Sequence, residues 1–385
     1  MCVMLARSVA VIVSATALVV TGAASASNAL TTGRVVSVPC SAVALASAIA
    51  GASDGEVLSL AGLCTYRLAA GLPPIRANLT VRGNQATIER SRAPGTPDFT
   101  MLVVAFFFDV TISNLSFRHA AADEQAAAGA IENNGDLTVI GGSFGSNTTL
   151  GYGAAIQNGG TLTVTGASFS GNQAADGGAI ANLSVAHIAN SSFRNNRATF
   201  NGGAFHNEGQ ATFRNSQFAG NSAISFGGGI FNGIEGNAAT ITRGTFRGNQ
   251  AAAGGGIYNE DVVNLMDALV LDNRSNSQGG GIYTNWVLAV TNSQIIGNSA
   301  AGGGGIYDGD SFGSPGSVTQ KRSVVFGNHP DNCEPAGLIT SCTSAAPATR
   351  LAPRTGHAAR ARSGTHHLAR ALARDFHPRG SAARR

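Results

Sequence analysis

The sequence is short of the residues from which helical domains are built. Lys321 is the only lysine, beside 24 arginines. Charged residues make up 12% of the chain, about half of the ~25% usual in soluble domains. Aromatic residues reach 6%, with a single tryptophan, Trp286. Surface helices need Lys, Glu and Leu in quantity, so the composition argues against a helical enzyme. Past the N-terminus no stretch approaches the ~20 consecutive apolar residues of a membrane-spanning helix, and none is expected in the mature chain. What abounds is glycine, 51 of 385 residues, roughly twice the ~7% norm. The glycines follow no three-residue period, which rules out collagen.

The formal charge of +4 hides an uneven distribution. Residues 345–385 hold nine arginines and one aspartate, a net +8. Residues 27–344 hold 15 basic and 20 acidic residues, a net −5. A nucleic-acid-binding fold needs a basic face, so no nucleic acid is expected on the folded body. The tail could attract anions, although its composition, with almost no aliphatic residues after Leu372, reads more simply as a disordered basic segment over 344–385. At the other end, Arg7, an apolar run from Val9 to Val20 and Ala24-Ser25-Ala26 have the layout of an export signal with cleavage after Ala26. An uncleaved signal anchor is the alternative. Cys2 would leave with the signal. The remaining Cys40, Cys64, Cys333 and Cys342 allow three pairings. Cys40–Cys64 and Cys333–Cys342 are the pairing that does not join opposite ends of the chain, and an exported protein favours such bridges.

The middle of the chain repeats itself. A G-A/G-I segment ending at Ile131 returns at Ile156, Ile180, Phe205, Ile230, Ile257, Ile282 and Ile306, every 24 to 27 residues. In phase with it runs F-x-x-N, at Phe144/Asn147, Phe169/Asn172, Phe193/Asn196, Phe218/Asn221 and Phe246/Asn249. Aliphatic residues then replace the phenylalanine before Asn273, Asn298 and Asn328. Alternating pairs such as Leu137/Val139 and Leu162/Val164 lie between the two signatures. Alternation of period two means short strands. A repeat of this length cannot bury its apolar face alone and must stack on its neighbours, each strand pairing with its counterpart one repeat later, roughly 4.8 Å away. A second file of polar residues, Asn133, Asn158, Asn182, Asn207, Asn232 and Asn259, follows the first signature two residues on. An inward polar group is costly unless bonded, and asparagines that bond one above another solve that. Two asparagine ladders are therefore expected. A leucine-rich repeat shares the period, but Gly-Gly and Thr/Ser/Asn fill the half that would have to be helical.

These residues resemble a known family. The chain is similar to the right-handed parallel β-helix proteins of the pectin-lyase-like superfamily. Its GG[AI] and FxxN repeats resemble those of chlamydial polymorphic outer-membrane proteins. More closely, the opening Cys40…ALASAIAGA…Cys64-x-Tyr66-x-Leu68…LPPI…LTVRGN and the ending HPDNC…C resemble exported β-helix proteins of high-GC Gram-positive bacteria. The resemblance implies an all-β, single-domain right-handed parallel β-helix over residues 27–343. It would have ten to twelve coils, about three short strands per coil, a helical N-terminal cap over 35–65 and a disulfide loop over 329–343. Two departures stand out: a loop insertion in the repeat 230–256, and Gln320 at a position that calls for an inward aliphatic.

Chemistry is harder to read. The densest acids, Glu260/Asp261 and Asp308/Asp310, with Asp272 and Arg274 near, fall about two coils or roughly 10 Å apart. That is too far for one metal, and neither a metal site nor a cofactor is expected. The separation suits the wider carboxylate spacing of inverting glycosidases, but solvated turn acids explain it as well. The residue after each G-G-I should point outward. In successive coils it is His206, Phe231, Tyr258, Tyr283 and Tyr307, with Trp286 close by, and the expectation is an exposed aromatic stripe fit for a sugar face or a protein partner. The reading is a secreted or cell-surface interaction module. It would be non-enzymatic and adhesive or carbohydrate-binding, with cell-wall or extracellular polysaccharide or a surface protein as partner. The alternatives are a polysaccharide lyase or glycoside hydrolase working in a groove along the coils, and a purely structural envelope protein.

Overall fold

A computed structural model describes residues 33–123, 128–233, 236–311, 314–315, 318–335, 339 and 342. The export signal read over 1–26 and the basic tail read over 344–385 lie outside the described residues. The described residues form one parallel β-solenoid of about 11 turns.

Each face of the solenoid is a parallel sheet that grows by one strand per coil. A twelve-stranded face runs from Val35–Val38 to Val318–Lys321, an eleven-stranded face from Thr65–Leu68 to Val324–Phe326, and a ten-stranded face from Leu102–Val104 to Cys333–Glu334. These are the three strands expected per coil. Between Ala121 and Ser275 a fourth, two-residue strand is added after the F-x-x-N turn, and seven of these make a narrow strip. Period-two patterning does not register so short a strand, since two residues hold no alternation.

Like residues lie over like. Ile180, Phe205 and Ile230 are direct register partners on the ten-stranded face and are fully buried. On the eleven-stranded face the rings of Phe117, Phe144, Phe169, Phe193, Phe218 and Phe246 form one column. Their centroids are 4.7 to 5.2 Å apart and neighbouring planes lie within 8° of parallel. Val270, Ile295 and Val325 continue the file in register. The spacing is that of the strands, so the offset stacking of rings is set by the backbone ladder.

Both asparagine files are hydrogen-bonded ladders. In the F-x-x-N file the Nδ2 of Asn147, Asn172, Asn196, Asn221, Asn249, Asn273 and Asn298 each donates to the Oδ1 of the next member, at 2.9 to 3.0 Å, as far as Asn328, which donates in turn to Asn332 Oδ1 at 3.1 Å. The same Oδ1 also accepts from the backbone N–H of the asparagine below, and the second amide hydrogen goes to a backbone carbonyl, Phe193 in the case of Asn221. In the other file Asn133, Asn158, Asn182, Asn207 and Asn232 each donate to the next asparagine, and Asn259 donates to Thr284 Oγ1 at 2.9 Å. This file ends where it does for a plain reason. Below Asn133 the register partner is Val104, which has nothing to donate, and the Oδ1 of Asn133 is left without a partner.

The open N-terminal edge is capped. The alanine-rich segment Ala42–Ala50 forms a helix, as its propensity favours. Ser41 Oγ accepts from the N–H of Ala44 at 3.4 Å as its N-cap. Leu45 and Ile49, one turn apart, are its buried face. The helix covers the edge strand, which would otherwise invite pairing with another chain. The Cys40–Cys64 disulfide ties it down. Tyr66 reinforces the joint, its hydroxyl donating to Val38 O at 3.0 Å and accepting from Ala61 N–H at 2.9 Å. At the far end Cys333–Glu334 lays the last rung on Ile306–Asp308, and Cys333 is bonded to Cys342. Gln320, out of pattern in the sequence, sits over Val290 and directs its amide at Cys342 Sγ, 3.2 Å away.

Candidate functional site

The inward positions of the ten-stranded face are spoken for by Ile and Asn, so its chemistry lies on the residue between them. In register these read Glu132, Gln157, Ala181, His206, Phe231, Tyr258, Tyr283 and Tyr307. From His206 onward they are a continuous ring stack, with centroids 4.9, 5.6, 4.5 and 5.2 Å apart and interplanar angles of 18°, 12°, 2° and 13°. The sequence reading had this stripe exposed. The structure corrects that for three of its members. His206, Phe231 and Tyr258 are only 3%, 6% and 5% exposed, whereas Tyr283 and Tyr307 are half-buried. Stacking covers the ring faces. Phe226, from the preceding turn, lies over Tyr258 at 4.4 Å. Trp286 stands outside the stack, exposed, in the turn after Thr284.

The stripe is therefore the floor of a groove, with walls built from the turns on either side. One wall runs through Asp176, Asn201 and Phe226, in files bridged from coil to coil. The other follows directly after the asparagine ladder, as Glu208, Gly233, Glu260 and Asn285. Gly233 leaves a gap between two glutamates set two rungs apart, roughly 10 Å along the axis. The cavity that opens there has a volume of about 480 Å³ and is lined by Asn201, His206, Glu208, Phe231, Gly233, Asn237 and Glu260. Gly233 and Asn237 belong to the repeat with the loop insertion noted in the sequence, so that irregular repeat shapes this wall.

His206 is the electrostatic centre of the groove. Its Nε2 is 3.0 Å from Glu208 Oε1 and its Nδ1 is 3.5 Å from Asp176 Oδ1. The hydrogen bond from His206 holds the Glu208 carboxyl below the usual carboxylate range. Burial pushes Glu260 the other way, above that range, against the attraction of His206 and a hydrogen bond with Tyr258. Burial also raises the Tyr258 and Tyr283 hydroxyls, with Glu260 adding to both. Two carboxyls with opposite shifts thus face one imidazole across an aromatic floor.

The other acids singled out in the sequence are scattered. Asp261 follows Glu260 at the rim. Asp308 is buried, in register with Thr284, where the inward ladder would continue. Asp272 is in a left-handed turn of the eleven-stranded face, 3.6 Å from Arg247. No cluster of three metal-ligating side chains occurs among the described residues. Asp176 and Glu208 went unread in the sequence. The signal that could have found them is coil arithmetic: Glu208 stands one residue after the Asn207 rung, as Glu260 stands after Asn259.

No family model, curated protein or solved structure matches this chain. No helix among the described residues is long and apolar enough to cross a membrane. The two disulfides fit an extracellular protein.

Proposed function

We propose that the protein is an extracellular or cell-surface glycan-binding module, with the groove on the ten-stranded face as its binding site. The observation that carries this reading is the ring stack at the groove floor, which runs along the solenoid axis as a polymer chain would. A row of apolar ring edges with tyrosine hydroxyls at their tips suits the mixed surface of a sugar chain, and polar walls with convergent donors and acceptors suit hydroxyls. The repeat signatures, similar to those of exported β-helix proteins in the pectin-lyase-like superfamily, support an extracellular role. Pull-down on insoluble polysaccharides and a glycan array test it, with Tyr283→Ser/Tyr307→Ser, at the half-buried end of the stack, as the variant. Retention should fall about tenfold or more, the equivalent of ~1.4 kcal/mol. Retention equal to wild type would remove the groove from consideration.

A second reading draws on the opposite shifts of Glu208 and Glu260. Two carboxyls whose proton affinities are pushed apart across a groove suit the acid and base of an inverting glycosidase, whose carboxyl groups stand about 6.5–9.5 Å apart. Glu260 would protonate the leaving oxygen, and Glu208 would activate water on the opposite sugar face. Release of new reducing ends from a bound polysaccharide, abolished in both Glu260→Gln and Glu208→Gln, would select this reading. Binding without release would select the first.

A further inference from the structure

The groove carries negative charge and nothing to offset it beyond one imidazole. Asp176 and Glu208 flank His206, Glu260 faces them, and no lysine or arginine lines the cavity. Beneath these carboxyls lie the ring edges of Phe231 and Tyr258, whose faces are taken up by the stack. Two polar atoms of the lining make no hydrogen bond: Asn201 Oδ1, and His206 Nδ1, which has only Asp176 Oδ1 at 3.5 Å. Buried polar atoms are rarely left so. The Asn201 oxygen can only accept, so a donor is what it lacks.

Resting on the glycan reading above, we infer that the ligand is an amino sugar with a free, protonated amine. Its ammonium sits at the Glu208 carboxylate, with Glu260 two rungs along the groove, and its apolar sugar face lies over the ring edges of the floor. An ammonium supplies three donors and no acceptor, which is what acceptor-rich walls demand. An N-acetylated or neutral sugar desolvates these carboxylates without bringing a cation to them, which is costly. An acidic sugar is repelled.

Calorimetry on the full chain, with glucosamine, N-acetylglucosamine and glucose oligomers of equal length and linkage, tests the inference. The glucosamine oligomer should bind at least about tenfold more tightly than the other two. Glu208→Gln and Glu260→Gln should each remove about tenfold, the equivalent of one ~1.4 kcal/mol interaction, and added salt should weaken only this oligomer. Equal affinity for all three oligomers, indifferent to the Gln variants, would overturn the amine preference while leaving the glycan groove standing. Failure of all three to bind would count against the glycan reading beneath it. Tight binding of a lysine- or arginine-rich peptide in their place would overturn the sugar assignment. Circular dichroism of each variant confirms that the coils are intact.

Discussion

Truncating Asn221 to alanine isolates what one ladder rung contributes. Its Oδ1 accepts from the backbone N–H of Asn196 at 2.9 Å and from Asn196 Nδ2 at 3.0 Å. Its own Nδ2 donates to Phe193 O at 3.0 Å and to Asn249 Oδ1 at 2.9 Å. Asn249 Oδ1 keeps the backbone N–H of residue 221 after truncation, and the Asn196 amide keeps Phe169 O. The backbone N–H of Asn196 and one of its amide hydrogens lose their partner, in a site with no exposure. A buried orphan costs about 1–3 kcal/mol, so the two together should cost about 4 kcal/mol. Asn133→Ala is the internal control. The Oδ1 of Asn133 is already unpartnered, and truncation deprives only the acceptors Asn158 Oδ1 and Thr161 O, for about 1 kcal/mol. Denaturant midpoints at unchanged slope measure both, and hydrogen exchange at Asn196 reads the orphaned amide directly. Asn221→Leu fills the space without restoring a bond and should not rescue stability. Equal costs at 221 and 133, or full rescue by leucine, would show that the side chain fills volume and that its bonds contribute nothing.

Three further outcomes follow from the same geometry. A Cβ on Gly228 would overlap Gly255 O and meet the Gln250 backbone at 2.6 Å, so Gly228→Ala should lower stability by more than ~2 kcal/mol. Gly248→Ala, left-handed but in open space, should cost only the ~1–2 kcal/mol of that conformation, and thermal melts that fail to separate the two would refute close packing of the coils. Cys40→Ser removes a bridge across 24 residues and should cost roughly 3 kcal/mol on loop entropy, so an unchanged melting temperature would make the helical cap independent of it. Glu260 holds its proton more tightly in the folded chain than at its ordinary value of 4.5, so the burial penalty is absent below that pH and grows as pH rises through the folded value. Glu260→Gln should therefore stabilise the protein at neutral pH and change nothing in acid, and a stability gain largest in acid would refute the assignment.

The interior of this protein was legible because it is written in single letters. Phe144, Phe169 and Phe193, or Asn147, Asn172 and Asn196, recur at the coil period, and a stack of identical residues has one sensible register. The fourth ladder, at two residues per strand, falls below what alternation can reveal. The groove was half visible. The ring file was found, but not its depth, because depth depends on residues at other phases of the repeat. Phe226 covers Tyr258 from the turn before the face, and Glu208 and Glu260 rise from the turn after it. Each of these residues occurs once or twice at its phase and makes no pattern. Asp176, Glu208 and Glu260 come to share one groove only because the coil length folds separations of 32 and 52 residues to within one and two rungs.

A solenoid of this kind divides its sequence between two tasks, and the division locates the groove. Inward positions vary little, since each must pack or bond against the rung above and below, and a polar residue next to an apolar one leaves an orphan, as at Asn133 Oδ1. Outward positions on the twelve-stranded face carry Thr138, Thr163, Thr212 and Thr240, interrupted by a single ring at His187. The ten-stranded face departs from this at His206, where Ala181 gives way to a ring and rings continue for five rungs. The same coils hold the repeat with the loop insertion, the Glu208/Glu260 pair and the two buried polar atoms that make no hydrogen bond. Rings, acids and a break in the repeat each depart from the solenoid's own structural demand. Their coincidence over three rungs of one face is not required by the stacking of coils, and it is what the proposed binding site would account for.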